Sequence, residues 1–439
     1  MKHFSNHRLR SGTAVATAVG IAAALLVTAA PAVASPKPSP VRPHAVLIGG
    51  ALSENPEILR SIVDLADPDG SGPAKARIAI VSAAASPAKN STDAADDSLN
   101  NAAANGLYYS ALFQRFGAET YAVPIDAAVN YDGDPYTPAR ANDPAVVAEL
   151  SAATGVFFGG GDQMRYVRTL LDCAPATDEA FSSCTDTPVM SALRAAADRG
   201  VVAGVSAGLT IQQGPDMVTG GEPYEAWRDG GQPGYLDDPN ALAYLPYGGL
   251  GFVQGALLDS HFTTWGRQAR AIKLGLETDH PLVLGVDETT AVVVDRRTGQ
   301  GRVIGEHGAS LLDLRLARET ASGVKGVRWS YLTSGDRLNL RLGLPLPAAG
   351  SNAIKTTGAA VAPRADVWDS LAGDGGTYSL RDLAVAAIGS SARTTTGTTL
   401  ETGPQFRTTL VRDVLARGWI TPAGGSSFAG LEVRIDRIP

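Results

Sequence analysis

From Ala45 onward, short apolar runs alternate with longer stretches of helical periodicity. Residues 45–49, 78–81, 121–124, 155–158 and 201–205 read as strands that are apolar on both faces. Between them fall helical patterns with clear starts. Asn55-Pro56-Glu57 supplies a cap, a proline and a first-turn acid, and Asp143-Pro144 repeats the device. Another helix is expected near Pro188, and a long one over residues 93–116. Strands buried on both faces and separated by helices predict an α/β fold, a mostly parallel sheet with helices on each side.

Further strands are expected at 255–259 and 282–286, and a hairpin at 290–295 and 301–305. Residues 214–250, rich in Gly, Pro and Tyr, read as one long loop, a length usually tied to function or motion. After Ala348 the chain turns Gly/Ser/Thr-rich, with patterned pieces only at 367–388 and 405–419. This predicts a catalytic domain over 35–347 and a C-terminal extension, 348–439, packed on it.

The first 34 residues read as an address. Lys2, His3, His7, Arg8 and Arg10 form a basic start, residues 13–30 an apolar run, and Ala32-Val33-Ala34 a small-residue cleavage site. The run is short and stops at Pro31, which favours a removed signal peptide over a membrane anchor. A secreted, extracellular protein without stable membrane association is expected.

Composition narrows the chemistry. With 44% apolar residues there is ample material for a core, and a net charge of −7 without basic clusters offers no face for nucleic acid. Cys173 and Cys184 are the only cysteines, and in an exported chain they predict a disulfide closing a surface loop. Beyond the leader only His44, His261, His280 and His307 remain, with no ligand spacing, so no metal is expected.

The strongest signal is Gly204-Val205-Ser206-Ala207-Gly208, a G-x-S-x-G pentapeptide between an apolar strand and a helical run. Such a turn presents a serine hydroxyl above a sheet and leaves the N–H of Ala207 to hold an oxyanion. Gly159-Gly160-Gly161 follows another strand, and the N–H of Gly161 could complete that hole. A phosphate loop is the competing reading, but the Lys-Ser/Thr ending is missing.

Elimination gives the base. Of the four histidines, His261 alone directly follows a strand at the carboxyl side, where such sheets build sites. For the third member, strand ends are better fixed than loops, which favours Glu288 with Glu222 as the rival. Glu288 follows a strand end, Glu222 lies in the long loop, and Asp287 could equally be a cap. Arg267 and Arg270 share a helix face and read either as a carboxylate clamp or as solvated charges.

The set resembles the peptidase S51 family. The matching pieces are Val46-Leu-Ile-Gly-Gly50, Phe157-Phe-Gly-Gly-Gly-Asp-Gln163, Ala203-Gly-Val-Ser-Ala-Gly208, Asp259-Ser-His-Phe262 with Gly266-Arg267, and Val286-Asp-Glu-Thr-Thr-Ala291. The resemblance implies a three-layer α/β/α sandwich like class I glutamine amidotransferase domains. It also implies a cofactor-free serine exopeptidase with Ser206 as nucleophile and His261 as base. Gln163, Asp259, Arg267 and Arg270 carry over as substrate-pocket positions.

The implied partner is a peptide or isopeptide such as cyanophycin, a polyaspartate bearing arginine; a homodimer is allowed for. Two positions depart from the family pattern. Ser260 stands where a glutamine is common and Trp265 where an arginine is, which leaves the catalytic pair intact and loosens the substrate assignment. An α/β-hydrolase esterase would share the pentapeptide but place its histidine late, and none follows His307. A non-catalytic binding protein on the same fold is the other alternative.

Overall fold

The computed structural model describes residues 43–68, 75–174, 179–368 and 378–438. The leader expected at 1–34 lies outside them. Five strands run parallel in the order His44–Ile48, Val201–Val205, Gly155–Phe158, Arg77–Val81, Glu119–Ala122, read outward from the first. On the other side of His44–Ile48 the sheet continues antiparallel through Thr290–Asp295, Gln300–Gly305, Arg337–Asn339 and Leu344–Leu346, making nine strands in all.

Period-two alternation explains why these strands are apolar throughout. Val46, Ile48, Ile78, Ile80, Phe157 and Ala203 face helices Pro56–Ala66 and Ala102–Gln114. Ala45, Leu47, Ala79, Val81, Phe158 and Val202 face the opposite way, with helices Pro144–Leu150, Gln163–Leu170 and Pro188–Arg199 in the same core. The caps act as the sequence implies: Asn55 accepts from the N–H groups of Glu57 and Ile58, and Asp143 from that of Ala145.

Four expectations need correction. The helix expected over 93–116 is two, Ser91–Ala95 and Ala102–Gln114. Asn101 restarts it by accepting from the N–H of Ala104, a side-chain bond that competes with an unbroken helix. Residues 214–250 are not one loop: they hold Met217–Gly220, helix Pro223–Asp229 and two short strands, Gly231–Pro233 and Leu242–Leu245. The helix after His261 spans Gln268–Glu277, so Arg267 is its N-cap and Arg270 lies in its first turn. Leu257–Asp259 and Leu282–Val286 do not join the first sheet.

Those two strands pair in parallel and belong to a second sheet, of ten strands. It continues through Gly308–Asp313, Gly323–Thr333, Ser426–Ile438, Gln405–Val411 and Thr394–Thr398. Gly323–Thr333 and Ser426–Ile438 thus pair across about a hundred intervening residues. Trp329, Trp368, Phe428 and Leu431 fill the core there together with helices Gln268–Glu277 and Ser379–Gly389. Cys173 and Cys184 are joined by a disulfide across the hairpin of Leu171–Cys173 and Cys184–Asp186. No helix among the described residues is long and apolar enough to cross a membrane.

Candidate active site

Ser206 ends the Val201–Val205 strand with φ 56° and ψ −115°, a strained conformation that turns the chain sharply into helix Ala207–Thr210. The flanking glycines are required by space. A Cβ on Gly204 would lie 2.0 Å from the Gly208 carbonyl oxygen, and one on Gly208 2.1 Å from that of Phe158. The Ser206 N–H donates to Ile48 of the neighbouring strand and fixes the turn.

His261 reaches the same place from the other sheet. It follows Leu257–Asp259, has φ 49°, and donates its backbone N–H to Gly49 at the end of the first strand. Its ring occupies space that only a glycine leaves, since a Cβ on Gly50 would lie 2.3 Å from Cε1. Nε2 stands 2.7 Å from Ser206 Oγ, and Nδ1 stands 2.6 Å from Oε1 of Glu288. Imidazole, hydroxyl and carboxylate therefore form one hydrogen-bonded line.

The two glutamates separate cleanly. The bond to His261 is the main cause holding the Glu288 carboxyl below its ordinary range, with the indole of Trp265 adding to it. Glu222 instead precedes helix Pro223–Asp229 at the N-cap position without a side-chain capping bond, and burial pushes its carboxyl up while Arg270 and Arg267 pull it down. It faces the arginines and not the imidazole. Asp287 turns away from the ring: it accepts from both the N–H and the hydroxyl of Thr263.

A cavity of about 230 Å³ opens beside Ser206, lined by Gly161, Gln163, Ala207, Asp259, Ser260, Trp265, Arg267 and Arg270 among others. As the first residue of its helix, Ala207 has an N–H with no acceptor within that helix. Gly161 has φ 140°, and a Cβ there would strike the Ala84 carbonyl at 2.2 Å. Gln163 donates to the Val218 carbonyl and so ties the glycine loop to the Met217–Gly220 strand.

Asp259 and Arg270 form a buried two-bond ion pair, at 2.6 and 2.9 Å. Arg267 donates to the Ser260 carbonyl, yet its Nε is buried without a hydrogen-bond partner. Burial first, then the neighbouring Arg270 charge, brings Arg267 down to about 10. Trp265, half-exposed at the rim, stacks on His261 at 4.8 Å and lies beneath the Arg267 guanidinium at 4.8 Å. Among the described residues no group of three or more His, Cys, Asp or Glu is placed to hold a metal ion.

Sequence reasoning did not find the roles of Gly50 or Thr263. The room at Gly50 and the reach of Thr263 depend on how the two sheets meet, which no local pattern encodes. Of the other histidines, His280 pairs with Asp216 at 2.8 Å, while His307 packs against Tyr378 with its ring tilted and lies near enough to Glu288 to help hold its carboxyl down.

A hydroxyl, an imidazole and a carboxylate in one hydrogen-bonded line is the geometry that serine hydrolases use. No family model matches the chain. It is similar to the cyanophycinase of Nostoc sp., 30% identical over 214 residues, 46% of this chain and 62% of that protein. The cyanophycinase of Synechococcus elongatus is 29% identical over the same length, covering 58% of that protein. That of Geminocystis herdmanii is 26% identical over 254 residues and 79% of its length. The chain thus spans less than two thirds of the first two relatives. Among solved structures, a peptidase from an acI-B1 Actinobacterium matches with a TM-score of 0.42 and 18% identity, over 68% of this chain and 97% of that one.

Proposed function

We propose that this chain is an exported serine hydrolase of the peptidase S51 type that cleaves cyanophycin or a related Asp-containing peptide or isopeptide. The single observation that carries the reading is the line Ser206–His261–Glu288, closed by contacts of 2.7 and 2.6 Å. In this reading residues 35–347 carry catalysis on a three-layer α/β/α arrangement, and 348–439 support it.

His261 Nε2 takes the Ser206 proton while Oγ bonds to the substrate carbonyl carbon. The electron pair moves to the carbonyl oxygen, which the N–H groups of Ala207 and Gly161 hold. Collapse breaks the C–N bond, and the amine leaves with the proton from Nε2. Water, deprotonated by the same nitrogen, then frees the acyl group. Glu288 orients the imidazole and stabilises its charged form.

The cavity favours an acidic acyl part. The unpartnered Nε of Arg267 in a cavity lined by Gln163 and Ser260 suits a substrate carboxylate. Asp259 and Arg270 satisfy each other and would shape this pocket rather than bind through free charge. The test is incubation with cyanophycin and with α- and β-linked Asp dipeptides, with products read by mass. Dipeptide release by the wild type and none by Ser206→Ala supports the reading; equal release by both removes it.

A further inference from the structure

Asp287 and Glu288 are consecutive, yet they face opposite ways. Glu288 meets the imidazole, whereas Asp287 is wholly buried behind it. A carboxylate out of water needs donors, and Asp287 has three: the N–H of Thr263 at 2.7 Å, its hydroxyl at 2.6 Å, and the Tyr331 hydroxyl at 2.8 Å. Tyr331 lies in Gly323–Thr333 of the second sheet. Burial, and then the Asp287 charge, push its phenol well above the ordinary value, so it stays a donor. Arg381, from helix Ser379–Gly389, hydrogen-bonds to Tyr331 and lends positive potential to Asp287.

The far side of the His261 turn is braced in the same way. A Cβ on Gly266, φ 60°, would lie 1.9 Å from the Trp368 carbonyl oxygen, so the later chain lies flat against the turn. Tyr378 hydrogen-bonds to Thr264 and packs against His307. Thr263 and Thr264 sit two and three residues after the base, and Asp287 one before the acid. Bonds at these positions fix the distance between the two halves of the His261–Glu288 contact.

We propose that Tyr331 and Arg381 are positioning residues of the active site: they hold the buried carboxylate of Asp287, which ties the turn bearing His261 to the strand end bearing Glu288. Arg381 lies in the part of the chain that reads as an appendage, which on this account helps to brace the base, while Tyr331 lies before it. The charged and titratable neighbours are Arg381, Tyr331 and Tyr378 around Asp287, and His261 and His307 around Glu288. The proposal rests on the hydrolytic reading for its consequence in turnover, though not for the geometry it asserts.

The experiment compares wild type with Tyr331→Phe, Asp287→Asn and Thr263→Val in the full chain. Two readouts distinguish a brace from a simple fastener. One is the downfield proton resonance of the His261 Nδ1–H bonded to Glu288. The other is the rate at which a fluorophosphonate labels Ser206, with kcat and KM alongside on a cleaved substrate. The expected result is a broadened or displaced resonance in each variant and labelling and kcat about tenfold slower, as for a small misplacement of a reacting group, with KM nearly constant.

Variants that melt earlier but keep both the resonance and the labelling rate would overturn the brace. Should Asp287→Asn fail to fold, Tyr331→Phe, which removes one hydroxyl, still decides. A wild type that is not labelled, with a resonance lost in the variants, would sink the hydrolase reading alone and leave the brace standing.

Discussion

Ser206 Oγ and His261 Nε2 stand 2.7 Å apart although the residues follow strands of two different sheets. The nucleophile belongs to the nine-stranded sheet and the base to the ten-stranded one. What joins them is the end of the first strand, where Ile48 accepts from Ser206 and Gly49 from His261. The contact therefore depends on the docking of the sheets at that strand end.

Gly50 is the most exposed to change in this arrangement. Gly50→Ala places a methyl where the imidazole lies, at a backbone angle of φ 149° that side chains avoid. The ring must move off Ser206. A fall in kcat of about a hundredfold is expected, with a small loss of melting temperature, checked by kinetics and thermal unfolding of the same preparation.

The two glutamates can be told apart by substitution. Glu288→Gln keeps the shape but loses the charge facing His261, and kcat should fall by about 10²–10⁴-fold. Glu222→Gln should cost far less, because its carboxylate faces Arg270 and Arg267. Equal losses from both would put the acid assignment in error.

Arg270 carries a stability prediction. Arg270→Met removes both short bonds to the buried Asp259 and leaves it only the 3.6 Å contact with Arg267, at a cost of about 3 kcal/mol. Denaturant unfolding should show it, and adding Asp259→Asn to the same chain should recover part of the loss, since the partners interact directly.

Asp126 gives a pH dependence. Burial pushes its carboxyl up to about 7, its bond from the Ala127 N–H opposing and Asp134 adding. The folded chain thus keeps a proton that the unfolded chain gives up near the ordinary value of 3.8. Stability from this source is full below that value and is lost as pH rises through the folded one. The melting temperature should fall between about pH 4 and about pH 7, and Asp126→Asn should flatten the slope.

Much of the first sheet could be read from the chain. Runs such as 45–48 and 201–205 are apolar on both faces, and the Asn55 and Asp143 caps mark helix starts without tertiary help. Ser206 and His261 were legible because strand, turn and residue type coincide. The second sheet was not. Leu257–Asp259 is three residues long, and its assignment depends on pairing with Leu282–Val286, a long-range choice that local periodicity does not carry.

The region 214–250 failed for a related reason. Its strands are three or four residues, too short to show alternation, and its Gly and Pro content imitates open loop. Sequence favoured Glu288 over Glu222 only because strand ends are better fixed than loops, and the approach of the sheets is what sets which one meets the ring. Asp287, taken for a possible cap, is instead the fastening point of Thr263 and Tyr331.

The pairing of Gly323–Thr333 with Ser426–Ile438 has a kinetic corollary. Contacts between residues so distant in sequence form slowly, because a large loop must close before any of them is rewarded. The ladder they build lies two strands from the one that presents the imidazole. In a refolding time course, regained turnover should trail the burst of helical signal from the first sheet's flanks.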